Sequence, residues 1–119
     1  MSDNNMKKII TKELKKLGCP AHLDGYEYVR NAIELVIADH SMLESITKTL
    51  YPTVAKNFGT TCSRVERAIR HAVELVWDNA DYDTLDEYFG NSVNSNKAQA
   101  TNKLFIATVA DIIKLDYNL

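Results

Sequence analysis

Apolar residues in this 119-residue chain recur at helical spacing throughout, and no segment alternates with period two over the length of a strand. That regularity removes every fold that needs a sheet. Ile10, Leu14 and Leu17 stand at i, i+4 and i+7, and Gly18 followed by Pro20 ends the stripe, which predicts a first helix over about residues 5–17. Asp24 with Glu27 three residues on reads as a capping box for a second helix, whose inner face is Tyr26, Val29, Ile33, Val36 and Ile37. Ser41 and Glu44 repeat the cap pattern before a short helical piece that meets Pro52. Proline lacks a backbone donor, so it belongs at the start of a new helix, "PTVAKNF".

Gly59 can adopt the left-handed conformation that closes that brief helix, and Thr60 or Thr61 can cap the next, which runs through Trp77. A turn and a short acidic helix closed by Gly90 follow. Residues 91–100 read as a loop, and Thr101 or Asn102 caps a last helix, "LFIATVADIIKL". That helix is apolar nearly all round, so it belongs in the core or under a second chain. The expectation is an all-α fold without a sheet: one six-helix domain over residues 1–119, containing a helix-turn-helix at about 52–77.

Charge is laid out unevenly. Net charge is −2, yet residues 50–77 carry four positive and two negative side chains while residues 78–92 carry five negative and none positive. Placed at about 100° per residue, Val65, Ala68, Ile69, Ala72, Val73, Leu75 and Val76 share one arc of the long helix. Ser63, Arg64, Glu66, Arg67, Arg70, His71 and Glu74 share the other. The second helix of a helix-turn-helix enters the major groove of DNA with its first turns. Arginine forks match the two acceptors of guanine, and a carboxylate accepts from cytosine. Three arginines at three-residue spacing fan around the helix, so some of them hold phosphate. The competing reading is a solvated face with Glu66 and Arg70 paired at i, i+4. Val54, Phe58, Val65 and Ala68 are expected to seal the helix pair against the core, with Ala55 at the close approach and Trp77 in the core. The lysines of the first helix are expected to be a solvated face.

Other chemistry finds little support. Cys19 and Cys62 form no CxxC pair and are expected to be buried or half-buried thiols. Cys62 and His71 lie about 13 Å apart along one helix, too far for a nucleophile and its base. The Asp81, Asp83, Asp86, Glu87 group lacks the spacing of a calcium loop. No enzyme activity, metal, cofactor or small-molecule substrate is expected. No run is long enough for a membrane span and "MSDNNMKKII" lacks signal-peptide character, so a cytoplasmic location without membrane association is expected.

The stretch "LYPTVAKNFGTTCSRVERAIRHAVELVW", flanked by "GCPAHLDGYEYVRNAI" and "TNKLFIATVADIIKL", resembles the effector domain of the stage zero sporulation protein A family of response regulators, over about residues 9–115. The resemblance implies a six-helix DNA-binding domain whose fourth helix reads boxes close to TGTCGAA. It places DNA contacts on Thr61, Ser63, Arg64, Glu66, Arg67, Arg70, His71 and, for phosphate, Lys97. It also places an RNA polymerase sigma-factor contact on Thr84, Phe89 and Val93, in a segment that is unusually acidic here. Nothing in the chain corresponds to the family's receiver domain, so it is either an excised effector domain or, as "MSDNN" running into the first helix suggests, a stand-alone paralogue. Such a protein either regulates sporulation genes by binding their boxes, or antagonises the full-length regulator by pairing with it or by occupying its boxes. Self-dimerisation is a further expectation.

Overall fold

The computed structural model describes residues 3–90 and 99–119, and among them it contains six α-helices and no strand. They are α1 (Asp3–Lys16), α2 (Asp24–Ala38), α3 (Tyr51–Phe58), α4 (Cys62–Asn79), α5 (Tyr82–Phe89) and α6 (Asn102–Asp116). Val93 and Lys97, named above, lie outside the described residues.

Glycine stops two of these helices in the same way. Gly18 has φ +74°, its N–H donates to the Lys15 carbonyl at 3.0 Å, and the Cys19 N–H donates to the Leu14 carbonyl at 3.0 Å. Gly59 has φ +63°, with the Thr60 N–H on the Ala55 carbonyl at 2.9 Å. Both are Schellman endings, which satisfy carbonyls that the helix would otherwise leave unpaired. The second sets the turn between α3 and α4.

Two helix starts differ from expectation. Asp24 is already helical; the residue before α2 is Leu23, which is extended and makes no side-chain cap. Asp24 and Glu27 instead occupy the first turn, where carboxylates suit the positive end of the helix. Ser41 is not a cap either. Asp39 ends α2, its N–H donating to the Leu35 carbonyl at 2.8 Å, and its carboxylate accepts from the Ser41 N–H at 3.1 Å and hydroxyl at 2.6 Å. The chain then runs through a 3-10 turn (His40–Ser45) and a π turn (Ile46–Leu50) directly into α3, with Pro52 in its first turn.

α2 lies at the centre, packed along α4 and α6. Val29, Ala32, Ile33 and Val36 of α2, Ile69, Val73 and Val76 of α4, and Phe105, Ile106, Val109 and Ile113 of α6 are fully or almost fully buried in one continuous core. Ile10, Leu14 and Leu17 complete it from α1, while Lys7, Lys8, Lys12, Lys15 and Lys16 are exposed as expected. A close approach falls at an unanticipated place: a Cβ built on Gly25 of α2 would lie 2.1 Å from the Ala68 carbonyl oxygen of α4, so the two backbones touch there. Glu13 is buried and accepts from the Tyr88 hydroxyl at 2.8 Å, tying α1 to α5, while Lys16 pairs with it at 3.4 Å. Desolvation, followed by that hydrogen bond, pushes the Tyr88 hydroxyl above its ordinary range.

Phe58, expected to seal the helix pair, is 39% exposed and leans on Tyr28 with ring centroids 5.2 Å apart. It sits at the last position of α3, beyond the buried stripe of Val54 and Ala55. Trp77 is half-buried on Phe89, at 4.8 Å. Cys19 is buried, but Cys62 is exposed because the first residue of α4 precedes its inner stripe. Among the described residues no helix is long and apolar enough to cross a membrane.

Candidate nucleic-acid interface

Thr61 opens α4: it is extended, and its hydroxyl accepts from the Arg64 N–H at 3.2 Å. The helix that follows has two unlike sides. Val65, Ile69, Ala72, Val73 and Val76 are buried, whereas Ser63, Arg64, Arg67, Arg70 and His71 are exposed and Glu66 is half-exposed. Ala68 and Leu75, expected on the inner arc, are partly exposed at its margins. All six polar residues therefore share the outward side of the second helix of a helix-turn-helix, within its first three turns.

Two pairings hold this surface. Arg70 and Glu66 form an i, i+4 ion pair, the arrangement of the solvated-face reading. His71 Nδ1 lies 3.8 Å from the Glu74 carboxylate. Exposed pairs of this kind contribute little to stability, so both side chains exchange partners at small cost. Arg64 and Arg67 have no ion-pair partner among the described residues.

Behind the outward face is a polar arrangement that the pattern of residues did not reveal. Asn102, the first residue of α6, is buried, and its amide donates both to the Tyr51 hydroxyl of α3 at 3.1 Å and to the Glu66 backbone carbonyl of α4 at 3.1 Å. Asn102 was one of two candidate caps; Thr101 takes that role, accepting from the Leu104 N–H at 3.1 Å, which leaves the asparagine free to turn inward. Burial raises the Tyr51 hydroxyl above its ordinary value, and the bond from Asn102 acts in the opposite sense. Tyr51, Glu66, Arg70 and Asn102 line one side of a cavity of about 420 Å³.

Residues 10–113 match the family model described as sporulation initiation factor Spo0A C terminal. The chain belongs to that family. The Spo0A C-terminal family consists of DNA-binding regulatory domains associated with sporulation rather than enzymes, and the six helices without a sheet agree with it. In this Spo0A C-terminal chain, two of the residues assigned to the sigma factor, Thr84 and Phe89, fall among the described residues. Thr84 is partly exposed at the start of α5, its N–H donating to the Asp81 carboxylate at 2.7 Å. Phe89 is 4% exposed and packs between Trp77 and Phe105, which seats α5 on the core.

Proposed function

We propose that this chain regulates sporulation genes by laying the outward face of α4 in the major groove of boxes close to TGTCGAA. The observation that carries the reading is the division of α4: five side chains that can read or hold DNA stand exposed opposite a stripe of buried Val65, Ile69, Ala72, Val73 and Val76. Arg67, unpaired and central on that face, is the base-reading arginine. Arg64, near the helix start, holds phosphate together with the Thr61 and Ser63 hydroxyls. Glu66 releases Arg70 on binding, so that its carboxylate accepts from a cytosine amino group while Arg70 and His71 reach the flanking positions. Lys97 supplies a further phosphate contact. The protein works where the chromosome is, in the cytoplasm.

Gel shifts with one box and a scrambled duplex test this. Arg67→Ala removes the preference for the box, whereas Lys97→Ala weakens binding to both duplexes and lowers the salt slope by about one unit. Equal losses on box and scrambled DNA with Arg67→Ala refute the assignment.

A second reading has its own observation: Leu115, Tyr117 and Leu119 are exposed at the end of α6. On this reading the chain antagonises the full-length regulator by pairing with it, or pairs with a second copy of itself. A pull-down with the full-length regulator in the presence of nuclease distinguishes pairing from competition for boxes. A sigma-factor contact through Thr84 and the segment bearing Val93 belongs to the first reading and requires a partner that accepts the neighbouring carboxylates.

A further inference from the structure

We infer that Asn102 is a specificity-determining positioning residue for DNA recognition, acting through the backbone of the recognition helix. The inference rests on the assignment of the reading face to α4.

An α-helix packed only through apolar side chains can rotate or slide slightly at modest cost, because dispersion contacts are numerous but individually weak and carry little direction. Hydrogen bonds fix direction as well as distance. Among the described residues, Asn102 supplies the one polar side-chain bond joining the reading half of α4 to the core elements behind it: its amide meets the Glu66 carbonyl at 3.1 Å and the Tyr51 hydroxyl at 3.1 Å. Three elements, α3, α4 and α6, are thereby joined at one buried amide group. Glu66 is the residue whose carbonyl is held, and its own side chain carries the ion pair to Arg70. The clamp thus sits at the turn that presents two of the reading side chains, and it sets how far that turn projects.

Base discrimination needs such a support. A bidentate contact to a base edge tolerates little displacement, whereas a phosphate contact adapts through a long side chain. Loosening the turn at Glu66 therefore costs box recognition more than it costs general DNA affinity. A residue with no DNA contact of its own then alters which sequence is preferred.

The test compares wild type, Asn102→Ala, Tyr51→Phe and Arg67→Ala on a box duplex and a scrambled duplex, well below each variant's melting temperature and over a range of salt. Asn102→Ala is expected to reduce the box-to-scrambled affinity ratio about tenfold, equivalent to ~1.4 kcal/mol, with an unchanged salt slope. Tyr51→Phe keeps the Glu66 bond but frees the amide to turn, and lowers the ratio by about half as much on a logarithmic scale. A purely structural role lowers the folded fraction and weakens both duplexes equally, leaving the ratio alone; that result overturns the inference. If Asn102→Ala fails to fold, Tyr51→Phe decides the matter by the same ratio. If Arg67→Ala leaves the ratio intact, the reading face itself has been misassigned, a failure distinct from that of the clamp.

Discussion

Among the glycines, Gly25 is where an added methyl group meets the hardest obstacle. The added Cβ would sit 2.1 Å from the Ala68 carbonyl oxygen and 2.7 Å from its carbon, where ordinary contact begins at 3.4 Å. Neither obstacle is a side chain that can swing away, so α2 and α4 must separate by about 1.3 Å. A gap of that order forfeits a substantial part of the dispersion energy between the facing residues. Overpacking of this kind costs about 3 kcal/mol, against which the better helix propensity of alanine returns at most about 1. The net loss of about 2 kcal/mol lowers the melting temperature by roughly 8 °C for a chain of this size. Gly59→Ala is the control: its φ is +63° but nothing lies within 4 Å of the added atom, so only backbone strain of about 1 kcal/mol applies. Thermal and denaturant unfolding of both variants measure the difference. Propensity and close approach predict opposite signs at residue 25, so a Gly25→Ala protein as stable as wild type refutes the backbone contact between α2 and α4.

Thr61→Ala removes the cap of α4 and is expected to cost about 1 kcal/mol in denaturant unfolding, and an unchanged midpoint removes that cap from the account. Tyr88→Phe deprives the buried Glu13 carboxylate of its hydroxyl donor; a loss of about 1–3 kcal/mol is expected, and equality with wild type by the same assay removes the tie between α1 and α5. Burial pushes the Cys19 thiol up to about 11 from its ordinary 9.0, so between these values the unfolded chain releases a proton that the folded chain keeps. The corresponding stability is whole below pH 9 and is lost as the pH rises toward 11, at up to about 1.4 kcal/mol per pH unit. Cys19→Ala should flatten that part of the pH profile, and an unchanged slope counts against the burial.

The parts of the fold legible in the sequence are those set by local periodicity. Ile10, Leu14 and Leu17, and the inner stripe from Val65 to Val76, are buried as the 3.6-residue period requires. Gly18 and Gly59 end their helices because glycine takes the left-handed conformation without steric cost. The starts of α2 and of the turn after it were misread, since Asp24 and Ser41 match a cap pattern whose geometry depends on where the backbone becomes helical. Gly25, Glu13 and Asn102 were silent for another reason. Each acts on a residue far along the chain, Ala68, Tyr88 or Glu66, and a pairing of that kind leaves no periodic trace. For the site, the outward side chains of α4 were legible and their buried support was not.

A chain of net charge −2 that binds DNA must keep most of its carboxylates from opposing the reading face: Glu66 and Glu74 lie on it, paired with Arg70 and His71, and the acidic run is set apart by distance. The acidic run begins at Asp78, which is exposed eleven residues beyond Arg67 on the same helix, about 16 Å along its axis. Charge is screened over about 8 Å at physiological ionic strength but over about 30 Å at ~0.01 M. The repulsion between Asp78 and phosphates near Arg67 is therefore largely screened in the first condition and largely intact in the second. Asp78→Asn should raise box affinity about twofold at ~0.01 M salt and leave it unchanged at ~0.15 M. Equal gains at both salt concentrations would mean that this carboxylate touches the DNA directly, against the proposed insertion of α4 by its first three turns.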